Sequence, residues 1–123
     1  MGNKRYHELV VRKEAHTFVL EEYARTTTFP PEERYGLTSQ VRRASVSVPA
    51  NIVEGIVKSS IKDQLRFCEI ALGSLNECGY LLELARDLGY LTKERYERLD
   101  DHRTRTEYLL TRFMTAKGWR IHS

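Results

Sequence analysis

The chain has 123 residues, 41% of them hydrophobic and 30% charged, with seven glycines and three prolines. That composition suits one soluble globular domain spanning 1–123, and it excludes a disordered tail, a collagen-like repeat or a second sizeable domain. Lys and Arg number 20 against 17 Asp and Glu, a net charge of +3. The excess falls entirely in the half that ends at Lys62, and it permits a nucleic-acid partner without demanding one.

The longest uncharged run, Ala44–Val53, contains Pro49 and Asn51 and is far shorter than the roughly 20 apolar residues that span a bilayer. Met1–Tyr6 leads into Glu8 and Arg12 with no secretory apolar stretch, and Tyr6 breaks the N-myristoylation pattern. The expectation is a cytoplasmic protein with no membrane partner.

Periodicity and breakers predict four helices, over 4–25, 37–58, 61–88 and 93–117. The first ends in Thr26-Thr27-Thr28-Phe29-Pro30-Pro31, and Tyr35-Gly36 precedes the second. On the second, Leu37, Val41, Ala44, Val48, Ile52 and Gly55 share one face, while Val46, Val53 and Val57 lie towards the opposite side. Gln40, Arg43, Ser47, Asn51 and Glu54 form a narrow polar strip between them. A helix apolar on two sides packs into its own bundle on one and against a neighbouring subunit on the other. Pro49 is expected to kink it.

Ser60 and Asp63 stand at capping-box spacing ahead of the third helix. Ile61, Leu65, Cys68, Leu72, Leu75, Gly79 and Leu82 make a heptad seam there, flanked by Phe67, Ala71, Ser74, Cys78, Leu81, Ala85 and Leu88. Gly73 and Gly79, each costing about 1 kcal/mol in a helix interior, suggest that another helix approaches closely. The simpler reading of both stripes is one wide core face. Gly89 suits a left-handed C-terminal position and Thr92 an N-cap for the fourth helix. Short connections make the expected fold all-α: an antiparallel up-down-up-down four-helix bundle.

The sequence offers little chemistry. The residues three before His7, His16, His102 and His122 are Lys4, Lys13, Leu99 and Trp119, so the Glu-x-x-His motif of a di-iron bundle is missing, and so is zinc-type Cys/His spacing. Cys68 and Cys78, about 15 Å apart on one helix, cannot form a disulfide within the chain. Gly-x-Ser-x-Gly, Walker and dinucleotide motifs are absent. Glu54, flanked by Val53, Gly55 and Ile56, is the one acid with apolar neighbours; it reads as a catalytic acid if buried, or as a hydrogen-bonded partner for Arg43 or for a neighbour's Gln40 and Asn51. The expectation is no catalytic residue, no metal, no cofactor and no small-molecule substrate.

Thr38-Ser39-Gln40-Val41-Arg42-Arg43 could open a DNA-recognition helix, but the apolar continuation to Val53 is unsuited to lying exposed in a groove. Arg12, Lys13, Arg103, Arg105, Arg112, Lys117 and Arg120 could form a basic track over the first and fourth helices, or a solvated face balanced by neighbouring acids.

The run Phe29-Pro30-Pro31-Glu32-Glu33-Arg34-Tyr35-Gly36-Leu37-Thr38-Ser39-Gln40-Val41-Arg42-Arg43-Ala44, continued by Ser47-Val48-Pro49-Ala50-Asn51-Ile52-Val53-Glu54-Gly55, resembles the signature of the 23S rRNA intervening-sequence protein family. Arg66-Phe67 with Ala71-Leu72-Gly73-Ser74-Leu75, and Ala85-Arg86-Asp87-Leu88-Gly89-Tyr90-Leu91, resemble its later blocks. Cys78, Gly79 and Val53 depart from the family's usual residues at packing positions. The resemblance implies a small bacterial cytosolic protein, homo-oligomeric rings that are most often pentamers, and kinship with accessory proteins of diversity-generating retroelements. It brings no catalytic residues. Joined to the charge pattern, it gives the expectation of a non-enzymatic oligomer that binds RNA or a ribonucleoprotein through a basic surface, with Arg42 and Arg43 as the first phosphate contacts, Lys58 and Lys62 beyond the helix end, and Gln40, Ser47, Asn51 and Glu54 as an oligomer or structural strip. The alternative is a protein–protein scaffold without a nucleic-acid role.

Overall fold

The computed structural model describes residues 2–120, with side chains from Tyr6 onward; His122 lies outside this range. Four α-helices, α1 (Gly2–Thr26), α2 (Leu37–Ile56), α3 (Ile61–Asp87) and α4 (Lys93–Ala116), are joined by short turns and one 3₁₀ turn at Pro31–Glu33. No strand occurs among the described residues.

The boundaries follow from where each helix's unpaired backbone groups find partners. At the end of α1 three consecutive threonines fold back: the Thr26, Thr27 and Thr28 hydroxyls donate to the carbonyls of Glu22, Ala24 and Arg25 at 3.0, 2.8 and 3.1 Å. The Glu33 carboxylate then accepts from the Leu37 N–H at 3.0 Å and from the Tyr90 hydroxyl at 2.9 Å, tying the start of α2 to the α3–α4 turn. Those two donors hold the Glu33 carboxyl below its ordinary range. Ser60 and Thr92 cap as their spacing predicts, accepting from Asp63 N–H at 3.1 Å and Arg95 N–H at 3.2 Å. Gly89 takes φ +82°, and Tyr90 N–H reaches back to the Ala85 carbonyl at 2.8 Å, the bond that closes a Schellman turn. Gly118, at φ +95°, ends α4 in the same manner.

Each helix packs on two others: α1 on α2 and α4, α3 on α2 and α4, with the α2–α3 contact the most extensive. The single core is centred on Phe18, Val41, Val48, Ile52, Leu75, Leu82, Leu99, Leu110 and Met114, all fully buried. On α2 the buried residues are Leu37, Val41, Ala44, Val48, Ile52 and Gly55, as the pattern predicts, with Ser45 added. Val46, Val53 and Val57 stay exposed at 41%, 38% and 73%. Pro49 sits within a helix that continues to Ile56.

The two stripes of α3 merge into one broad core face comprising Cys68, Ala71, Leu75, Cys78, Leu81, Leu82 and Ala85, while their ends, Ile61 and Leu88, are exposed. The two α3 glycines behave differently from each other. A Cβ at Gly79 would stand 2.8 Å from the Arg103 guanidinium of α4, so close approach does occur there. Gly73 has nothing within 4 Å, so within the chain no helix approaches it. Both cysteines are buried small hydrophobes, and burial pushes the Cys68 and Cys78 thiols up to about 11 and about 12. No described helix is long and apolar enough to cross a membrane.

Candidate nucleic-acid interface

The contacts sort the molecule into two ends. At one, the Gln64 side chain donates to the Lys58 carbonyl and accepts from Lys117 Nζ, both at 2.8 Å, joining the end of α2, the start of α3 and the end of α4. The start of α1 reaches the same end, where Tyr6, His7 and Val10 border a groove with Tyr108, Phe113 and Lys117. At the other end the α1–α2 connection meets the α3–α4 turn, with Phe29 and Tyr90 rings 5.5 Å apart.

Charged residues occupy both ends. The first end carries Lys58, Lys62, Arg66, Arg112, Lys117 and Arg120 against Glu8, Glu54, Asp63 and Glu69. At the second end Arg25, Arg34, Arg42, Arg43, Arg86, Lys93, Arg95 and Arg98 are interleaved with Glu32, Glu33, Glu83, Asp87, Glu94 and Glu97. Cationic side chains from both halves of the chain therefore meet where α2 ends and α4 ends.

The four residues expected to contact phosphate fall into two separate pairs on this frame, since Arg42 and Lys58 stand about 24 Å apart along α2. Arg42 is occupied within the fold: its Nε donates to Thr26 Oγ1 at 2.9 Å, Nη2 to the Tyr23 carbonyl at 3.3 Å, and its guanidinium lies 4.5 Å from the Tyr23 ring centre. Arg43 is exposed and borders an open polar groove between α2 and α3, with Tyr35, Gln40, Ser47, Ser74 and Glu77. Lys58 lies 3.7 Å from Glu54 and 5.1 Å from the Phe67 ring centre, and Lys62 is exposed on the first turn of α3. Of the wider basic track, Arg103 turns inward to Asp100 at 2.7 Å and Glu107 at 3.4 Å, and Arg105 lies 3.6 Å from Glu14.

The polar strip on α2 divides as well. The Asn51 amide donates to the Ser47 carbonyl and hydroxyl at 2.8 and 2.9 Å, and the Ser74 hydroxyl reaches Ser47 from α3 at 2.9 Å. Gln40 and Glu54 are exposed at its ends. Glu54 is therefore not the buried acid its sequence neighbours suggest, because residues at i±1 on a helix point to other faces.

The buried acid is Glu22, which no local signal marks. Fully enclosed, it accepts from the Ser45 hydroxyl at 2.8 Å through Oε2, while Oε1 has no hydrogen-bond partner among the described residues. Burial pushes its carboxyl from the ordinary 4.5 up to about 7, against the opposing pull of Ser45, Arg42 and Thr26. On the side of α1 that faces α4, His102 bridges Glu14 and Glu21, at 3.4 and 3.1 Å. No group of three or more His, Cys, Asp or Glu residues suited to a metal ion occurs among the described residues.

Comparison with known proteins adds to this geometry. The family model described as 23S rRNA-intervening sequence protein matches residues 7–112. Among solved structures, the chain is similar to a protein of unknown function from the S23 ribosomal protein family of Bacteroides thetaiotaomicron VPI-5482. The TM-score is 0.81 at 26% sequence identity, covering 89% of this chain and 98% of that one. A comparison with curated proteins returns no match.

Proposed function

The chain belongs to the 23S rRNA-intervening sequence protein family, and from that premise we propose that it is a non-enzymatic, oligomeric RNA- or ribonucleoprotein-binding bundle of the bacterial cytoplasm. The observation that carries this reading is the collection of Lys58, Lys62, Arg66, Arg112 and Lys117 at one end of the molecule. Lys58 and Lys62 are the primary phosphate contacts. Arg43 contributes from its separate groove, and Arg42 chiefly holds α1 against α2. The four helices run up-down-up-down and antiparallel, a reading supported by residue pairs whose order reverses between neighbouring helices. Thr26 with Arg42 and Glu22 with Ser45 do so on α1 and α2; His102 with Glu21 and Arg105 with Glu14 do so on α4 and α1.

The oligomer is a homopentameric ring akin to the accessory proteins of diversity-generating retroelements. Its seam runs along Val46, Ala50, Val53 and Val57, an exposed apolar row at helical spacing, with Gln40, Ser47, Asn51 and Glu54 beside it. Val53→Asp should then lower the native mass, whereas an unchanged mass would move the seam elsewhere.

Fluorescence anisotropy with structured ribosomal RNA tests the binding surface. Lys58→Gln with Lys62→Gln should weaken binding at fixed salt more than Arg42→Gln does. Binding that ignores the lysine pair would place the surface elsewhere. If no RNA binds at low salt, the scaffold alternative takes over, with a protein partner on the same apolar row.

A further inference from the structure

The basic end holds a groove of about 840 Å³ between the start of α1 and the end of α4, floored by Val10, Val11, Leu109 and Phe113. Two of its features are unusual together. Among the described residues, its charged and titratable lining side chains are His7, Arg112 and Lys117 plus the tyrosine hydroxyls, with no carboxylate. Its walls also present aromatic rings to solvent, Tyr6 at 64% exposure and Tyr108 at 57%. The Arg112 guanidinium is braced at this wall, donating from Nη1 to the Tyr108 hydroxyl at 2.9 Å with its centre 5.6 Å from the ring centroid. Lys117 hydrogen-bonds Gln64 at 2.8 Å and lies 4.9 Å from the Phe113 ring centre, so its ammonium is tethered at the groove.

We infer that this groove is a stacking site for the unpaired bases of single-stranded RNA, with Tyr6 and Tyr108 taking base faces and Arg112 and Lys117 taking phosphates. The inference rests on the RNA reading above and narrows it. A duplex offers a basic surface only its phosphates and groove edges, and its base faces are already stacked. Splayed bases, by contrast, fill an apolar groove with aromatic walls while their phosphates meet the cations on its rim, the pattern of sequence-tolerant single-strand binders. An acidic amphipathic peptide would satisfy the charges but has no particular use for exposed rings at the wall.

The test compares a labelled short oligoadenylate with an RNA duplex of equal length by anisotropy at one salt concentration. The oligoadenylate should bind at least about tenfold tighter, and Tyr6→Leu combined with Tyr108→Leu should remove about that factor. The single variant Tyr108→Phe keeps the ring and should keep most of the affinity. Both tyrosines are largely exposed, so circular dichroism should show all the variants folded. Equal affinity for the two RNAs, or indifference to the loss of both rings while the Lys58 and Lys62 variants still weaken binding, would overturn the stacking site and leave the RNA reading standing. Preference for an acidic amphipathic peptide over both RNAs would also overturn it. An absence of binding to any RNA at low salt would overturn both readings.

Discussion

Glu22 carries its carboxyl in the core, between α1 and α2, with one oxygen on Ser45 and the other without a hydrogen-bond partner among the described residues. Because its folded pKa of about 7 lies above the ordinary 4.5, the native state binds more protons than the unfolded state between those values. Stability from this group is therefore greatest below pH 4.5 and is lost as pH rises towards 7. The difference between about 7 and 4.5 corresponds to roughly 3 kcal/mol at most. Urea unfolding at a series of pH values should show that decline in the wild type and its absence in Glu22→Gln. Parallel pH profiles for the two proteins would mean that Glu22 is ionised in both folded and unfolded states. This residue was illegible in the sequence because its partners, Ser45 and Arg42, come from α2, while its own charge acts across the core on the Cys78 thiol of α3. Glu54 has apolar sequence neighbours in Val53 and Gly55, yet a helix turns those neighbours to other faces.

At the scale of the helix, most of the architecture was legible. The alternation of core and polar positions on α2, the capping residues Ser60 and Thr92, and the stop at Gly89 all act through contacts within a few residues, so spacing alone specifies them. Ser60→Ala and Thr92→Ala should each cost about 1 kcal/mol, measurable by chemical denaturation, through loss of the hydroxyl that satisfies an N-terminal N–H. The glycines of α3 were legible only in part, since a helix-interior glycine signals close approach without naming what approaches. At Gly79 the neighbour is Arg103, itself held by Asp100 and Glu107, so an added methyl must displace a tethered side chain. Gly73 is open on its own chain. Gly73→Ala should therefore stabilise the isolated fold by about 1 kcal/mol through helix propensity. Loss of stability, or of native mass, would instead place a second copy against that turn of α3.

At the scale of the molecule, the fold gathers cations from distant parts of the chain at one end. The sequence locates the excess in its first half, but the basic end draws on both halves, because Lys58 and Lys62 meet Lys117 and Arg112 only when the end of α4 returns to the α2–α3 turn. Composition could not show this. A concentrated cationic end should bind RNA largely by releasing condensed counterions, so affinity should depend steeply on salt. A hydrophobic protein–protein interface would show no such slope. The most direct measurement is the binding of structured ribosomal RNA by fluorescence anisotropy across a salt series, with native mass recorded in the same buffers. Micromolar or tighter binding is predicted, its logarithm falling linearly with the logarithm of salt concentration while the oligomer stays intact. An intact oligomer that binds no RNA at low salt would contradict the account.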